Sequence, residues 1–359
     1  MNRSAVSEFV LLGLRARPAT RPLLFAALLG VYLVAVLGNG LIVAAVGVSA
    51  ALHTPTYVLL LALAVADVAR ASAVVPKTLA ATLGPRTTIS YGGCVAQLFF
   101  FTWSLGAEMV LFTAMAFDRY VAIRFPLRYA AIMSRRTCSF LLAAVFLVAV
   151  ANAWVHTGLV LRLSFCGPDA VDHFFCEIPA VLALSCSPVR ANEVMVFVAD
   201  VALAMGDFLL TCLSYGFVAA AVLRIRSAEG KRKAFSTCSS HLCVVALYYS
   251  PVIYTYIRPA SSYSFDRDKV VAALYTLVTP TLNPIVYSLR NREIQAGIRK
   301  VFSALKLPRS SAELFRRLPC PFSVPPFSVE LVGPGDLVRK SAPGEDEAAN
   351  CLIASRASN

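Results

Sequence analysis

Seven stretches of this chain are long and apolar enough to cross a lipid bilayer, and that leaves little freedom in the fold. They lie at roughly 23–48, 57–79, 94–117, 139–161, 195–223, 237–257 and 270–289. A helix of about 20 predominantly apolar residues reaches across the hydrocarbon core. Backbone N–H and C=O groups in lipid have no water to bond, so each crossing must satisfy them internally as a helix. The expected fold class is an all-α membrane protein: a seven-transmembrane helix bundle with a short amphipathic helix after the seventh span. Composition agrees, at 58% hydrophobic and 15% charged, with a mean hydropathy of +0.69; soluble domains are about 25% charged. The second window is weakened by Asp67 and Arg70, and the fifth by Asp200 and Asp207. Neither an internal repeat nor a second globular domain is legible.

The net charge of +13 follows the membrane rather than a nucleic acid. One basic cluster, Arg119, Arg124, Arg128, Arg135 and Arg136, follows the third span. A second, Arg224, Arg226, Lys231, Arg232 and Lys233, follows the fifth, and a third, Arg290, Arg292, Arg299 and Lys300, follows the seventh. An excess of Lys and Arg marks the cytoplasmic side. The expectation is a multi-pass plasma-membrane protein with its N-terminus outside and its C-terminus in the cytoplasm. The N-terminal Arg3, Arg15, Arg17 and Arg21 run weakly against this, and three agreeing loops outweigh them. Asn2-Arg3-Ser4 is a glycosylation sequon that this topology puts outside. The segment before Pro22 lacks an apolar run followed by a small-residue cleavage site, so the first span is expected to serve as its own insertion signal.

Boundaries follow from these patterns: an extracellular tail over 1–22, a seven-transmembrane bundle over 23–289, an amphipathic membrane-surface helix over 290–306, and a cytoplasmic tail over 307–359. In the third segment Ile294, Ile298, Val301, Phe302 and Leu305 share one helical face with basic residues interleaved, the pattern of a helix lying on the inner leaflet. The tail has seven prolines and a mixture of charges, a composition expected to be disordered. Of ten cysteines, Cys94, Cys166, Cys176 and Cys186 fall on the outer, oxidising side. Four cysteines allow three pairings. Cys138, Cys212, Cys238 and Cys243 read as small core residues.

Ionisable residues inside the spans are costly and are functional candidates by default. Asp118-Arg119-Tyr120 closes the third span beside a basic loop, where a cytoplasm-facing switch would lie. Asp67 and Arg70 are one helical turn apart in the second span, and Glu108 is in the third. An internal ion pair that biases the resting arrangement is the expectation, with Arg70 leaving no room for a free cation. Pro280 and Pro284 kink the seventh span by removing backbone hydrogen bonds, and Asn283 and Tyr287 add an amide and a phenol near its inner end.

Several segments occur together in one order: Gly38-Asn39, Leu52-His53-Thr54-Pro55, Met115 to Ile123, Lys233-Ala234-Phe235-Ser236-Thr237-Cys238, and Pro280-Thr281-Leu282-Asn283-Pro284-Ile285-Val286-Tyr287. Over residues 5–305 the chain resembles the olfactory (odorant) receptors of the rhodopsin-like G-protein-coupled family. The resemblance implies disulfides Cys94–Cys176 and Cys166–Cys186. It implies that Asp118 and Arg119 form the inner switch, with Arg119 meeting the G protein when the sixth helix swings out from its inner end near Lys231 to His241. It also implies that Tyr215 and Tyr287 rearrange on activation, that Asn39, Asp67 and Asn283 form a polar core, and that Tyr249 is an aromatic toggle at the pocket floor. The implied partners are a small-molecule odorant and a stimulatory heterotrimeric G protein feeding cyclic-AMP production; no cofactor is implied. The chain departs from the family pattern at Phe117, Arg124, Phe125 and Ser250. Arg124 adds charge to the face that meets the G protein.

The ligand site is expected in the outer half of the bundle, between the third, fifth, sixth and seventh helices. Phe101, Thr102, Leu105 and Met109 follow one face of the third span, and Val252, Ile253 and Tyr256 do so in the sixth. Asp200, in the outer part of the fifth span, is a candidate for selecting a polar or amine group. Two rivals are weighed. An ion-coupled transporter could use Asp67, Glu108 and Asp207 as a path, but seven spans do not halve into the repeats that many transporters show. A receptor of the same fold could take a peptide or a non-volatile metabolite. An enzyme is not expected: no nucleophile–base pair, phosphate loop or metal-ligand cluster is legible, and His53, His156, His173 and His241 are scattered.

Overall fold

The computed structural model describes residues 6–14, 17–84, 87–166, 169–225, 227–257 and 265–305. These belong to one compact unit, Met1–Arg317. The expected sequon at Asn2 and the tail over 307–359 lie outside the described residues.

The long helices are α1 (Arg21–Val48), α2 (Pro55–Leu83), α3 (Tyr91–Arg124), α4 (Arg135–Val160), α5 (Arg190–Leu223) and α6 (Ala228–Ile257). α7 comprises Phe265–Ala273, a π-helical turn Leu274–Val278, and Thr279–Arg290. Six of the described helices are long and apolar enough to span a bilayer. α6 carries the remaining apolar window in 30 residues, with Lys231 and Arg232 making its inner end polar. Even α4, at 26 residues, is about 39 Å long, more than the ~30 Å hydrocarbon core. The helices start where the chemistry allows. Pro55 opens α2, where a missing N–H costs nothing. Ser90 and Ser134 cap α3 and α4 by accepting from Gly93 N and Thr137 N. α3 is the central element and packs against α2, α4 and α5.

The Pro284 kink has a specific support. Proline at 284 cannot donate to the carbonyl four residues earlier, so Pro280 O loses its helical partner. Asn39 Nδ2 donates to that oxygen at 2.9 Å. Gly38 makes room for the ring, since a Cβ there would come within 2.9 Å of Pro284 Cγ. The Gly38-Asn39 pair is thus the α1 side of the α7 kink.

Three features were not legible in the sequence. Within the stretch expected as an outer tail, Glu8–Leu11 forms a strand, β1. It pairs antiparallel with β2 (Thr87–Ser90) and parallel with β3 (Ala170–Val171). Phe9 and Leu11 are buried with Ile89, Val160 and Val171, and the rings of Phe9, Tyr91 and Phe165 pack together. Second, α5 is interrupted by a π-helical turn at Asp200–Met205. Third, the amphipathic helix, α8 (Arg292–Ala304), does not simply lie on the leaflet. Ile294, Ile298 and Val301 are buried against the bundle, while Leu305 is 62% exposed. Gly297 permits this docking: a Cβ there would lie 2.8 Å from Leu52 Cδ1 and 3.1 Å from Ala45 Cβ. Of the cysteines read as core, Cys138 and Cys238 are buried but Cys212 is exposed, as expected for an apolar thiol on a lipid-facing helix surface.

Candidate functional site

Two disulfides organise the outer side, Cys94–Cys176 from α3 to the long loop and Cys166–Cys186 within the loop. Gln97, unremarked in the sequence, adds a polar rivet. Its Nε2 donates to Ala73 O and its Oε1 accepts from Cys176 N, both at 2.7 Å. The loop is thereby held over the bundle mouth against α2 and α3.

Beneath the loop is a cavity lined from α3 by Phe101, Thr102, Leu105 and Met109, all four predicted. Its other walls are Asn152 and His156 of α4, Val196 and Leu203 of α5, and Glu177 to Pro179 of the loop. The cavity therefore lies between α3, α4, α5 and the loop, and α4 had not been expected to contribute. The room inside is about 30 Å³, space for roughly two waters. Tyr249 does not line it. That ring is buried with Phe112, Phe208 and Tyr248. The side chains of Asp200, Val252, Ile253 and Tyr256 lie outside the described residues.

Glu177, which lines the cavity, belongs to an acid–base cluster shared by the outer loop and α7. Tyr275 of α7 donates to Glu177 Oε1 at 2.6 Å, and Lys269 of α7 meets Asp172 at 2.6 Å. Burial pushes the Glu177 carboxyl up to about 7, opposed by the Tyr275 hydrogen bond and helped by Asp268. Burial, then the Lys269 charge, pushes His173 down to about 3. The 3.4 Å approach of His173 Nε2 to Glu177 Oε2 is therefore not an ion pair near neutral pH.

The predicted polar core assembles around Arg70. Its guanidinium reaches Glu108 Oε2 at 2.5 Å and Asp67 Oδ1 at 3.4 Å, with all three side chains fully buried. Asn283 donates to Asp67 Oδ2 at 2.8 Å. Asn39 is not part of this cluster and bonds Ala35 O and Pro280 O instead. Arg70 also lies 5.6 Å from the ring centroid of Tyr248, whose hydroxyl donates to Leu105 O. One cation thus ties α2 to α3 and touches α6. Among the described residues no His, Cys, Asp and Glu cluster could hold a metal ion.

At the inner end, Asp118 is buried and accepts from Thr56 and Tyr129, each at 2.7 Å. Arg119 stands 3.6 Å from the same carboxylate and is 21% exposed. Burial and the neighbouring Asp118 raise the Tyr129 phenol to about 12, so it stays a donor. Tyr120 packs on Phe125 and Phe217. Tyr215 of α5 and His241 Nδ1 of α6 are 2.6 Å apart. Tyr287 is half-buried, and its buried hydroxyl has no hydrogen-bond partner among the described residues. Tyr57 donates to Glu293 at 2.6 Å, linking α2 to α8.

A seven-helix bundle with a disulfide-tethered outer loop, a kinked Asn-Pro-x-x-Tyr helix and an Asp-Arg pair at the inner end of the third helix defines a rhodopsin-like G-protein-coupled receptor. Sequence comparison narrows the class. The olfactory receptor family model matches residues 28–305. The chain is 66% identical to human (Homo sapiens) Olfactory receptor 13G1 over 306 residues, covering 85% of this chain and all of that one. It is 48% identical to human Olfactory receptor 13A1 over 84% of this chain and 92% of that one. It is 41% identical to mouse (Mus musculus) Olfactory receptor 5AP2 over 84% of this chain and 95% of that one. The chain belongs to the olfactory receptor family, a family of membrane receptors rather than enzymes.

Proposed function

We propose that the protein binds a small odorant in the outer half of the bundle and activates a stimulatory heterotrimeric G protein, raising cyclic AMP. The observation that carries this reading is the inner lock. A buried Asp118 is held by Thr56 and Tyr129 while Arg119 stays partly exposed beside it. An arginine so lightly held can leave for a partner at small cost, whereas a buried and doubly bonded one could not. The basic loops support a cytoplasmic position for this end, with the N-terminus and both disulfides outside. The outer cavity, lined by Phe101, Thr102, Leu105 and Met109, is roofed by the disulfide-tethered loop rather than open as a broad groove. That favours a small ligand over the peptide alternative.

Activation is a population shift, and a ligand moves it only if it binds the open arrangement better than the closed one. Opening α6 must break the Tyr215–His241 contact and the packing of Tyr248 and Tyr249. The test is a cyclic-AMP reporter screen of surface-expressed receptor against a broad volatile panel. Arg119→Ala should lower the response at least tenfold at equal surface expression. A response that survives this substitution would remove Arg119 from the switch.

A further inference from the structure

Four polar side chains converge on the outer cavity: Thr102 from α3, Asn152 and His156 from α4, and Glu177 from the loop. Thr102 is 6% exposed and His156 is 3% exposed. Neither these two nor Asn152 forms a hydrogen bond with another described residue. Gly106 brings the two helices together at this point; a Cβ there would lie 3.7 Å from Ala149 Cα and 3.9 Å from Asn152 Nδ2. Glu177 uses Oε1 to accept from Tyr275. An apolar pocket with a few convergent polar groups is a binding site built for orientation. These groups line the cavity and their polar atoms are not sealed in the packing, so a ligand that covers them must pair them or bear the cost of leaving them desolvated.

We propose that Thr102, Asn152, His156 and Glu177 form a polar subsite that selects small hydroxylated ligands, alcohols or phenols, whose apolar body lies against Phe101, Leu105, Met109 and Leu203. This rests on the odorant-receptor reading above. The class follows from the donor and acceptor inventory. Thr102, Asn152 and a neutral His156 each present both a donor and an acceptor, and a Glu177 carboxylate presents acceptors only. A hydroxyl donates and accepts, so it can satisfy both kinds. An ammonium only donates and leaves the donors of Thr102, Asn152 and His156 unanswered. A carboxylate only accepts and would face Glu177. An alkane answers none of them. The small room in the cavity favours a short ligand.

The test applies a series of n-alkanols, with the matching alkanes, primary amines and carboxylic acids, to cells expressing the full chain with a cyclic-AMP reporter. Alcohols should be the most potent class. Thr102→Val, which removes the hydroxyl at nearly constant volume, and Asn152→Leu should each raise the EC50 for the best alcohol about tenfold. Both should also narrow the gap between alcohol and alkane. Glu177→Gln keeps an acceptor for Tyr275 and serves as the second variant if Asn152→Leu fails to reach the surface; its EC50 should rise similarly. If another class outranks the alcohols, the subsite proposal falls while the odorant reading stands. It falls in the same way if the alcohol preference survives Thr102→Val and Glu177→Gln at normal expression. If the surface-expressed receptor answers nothing in a broad volatile panel, the odorant reading falls and takes the subsite with it.

Discussion

Arg70 shows how much one residue can decide. Two carboxylates and one guanidinium are fully buried within hydrogen-bonding reach of one another, and such a cluster is stable only while its charges compensate. Removing one partner of a buried pair typically costs about 3–5 kcal/mol, because the other is left uncompensated. Arg70→Leu should therefore destabilise the receptor by about that amount and shift basal signalling. The double variant Arg70→Leu with Glu108→Leu should be less destabilised than the two single effects added together. Thermal unfolding of purified receptor for the four members of the cycle measures this, and simple additivity would show that Arg70 and Glu108 are not coupled. The cluster was legible in the sequence because charged residues inside apolar windows are conspicuous. The contact of Arg70 with Tyr248 was not, since an aromatic in an apolar span carries no distinguishing mark. The role of Asn39 was only half legible. Its motif was visible, but its partner is a backbone carbonyl freed by a proline 245 positions along the chain.

At the scale of elements, spans were readable and their joints were not. Apolar length reports a membrane helix directly, so each of the seven windows falls on one helix, the fourth overrunning its end by a single residue. A four-residue strand has no such signature. β1 exists because residues near 88 and 170 complete it, and no local pattern announces partners that distant. Gln97 and the α4 wall of the cavity escaped for the same reason. The outer loop offers the prediction at this scale. Glu177 has its pKa raised from 4.5 to about 7, so between those values the folded receptor holds a proton that the unfolded chain has released. Stability from this group must fall as pH rises from 4.5 to 7 and level off above, by on the order of 3 kcal/mol. His173, lowered from 6.5 to about 3, works the opposite way, and Asp172, Asp268 and Lys269 add their fields. The difference between the wild type and Glu177→Gln isolates the carboxyl. The Tm of the wild type should decline relative to the variant between pH 5 and pH 7, and a constant difference would mean that Glu177 ionises normally.

For the whole molecule, the match to the family and the described residues end at the same place. The family model stops at residue 305, and the last described helix ends at Ala304 after docking on α1 through Gly297. Truncation after Leu305 is therefore expected to preserve surface expression, ligand potency and the maximal cyclic-AMP response to within about twofold. Loss of signalling at normal expression would show that the remaining 54 residues of the 359 take part in coupling. By contrast, Gly297→Val should undock α8, because the added side chain meets Leu52 and Ala45 where there is no space.

The tightness of the outer cavity bears on timing as well as on recognition. A space for roughly two waters cannot admit even a six-carbon alcohol until α5, α4 or the loop gives way. The measured affinity is then the intrinsic affinity scaled by the fraction of receptors that have already opened. On the proposed reading, an odorant lodged here must supply the cost of parting the walls out of its own contacts, which lowers its net affinity relative to a preformed space. The walls that must part for a ligand to enter must part again for it to leave, so one opening motion would gate both steps.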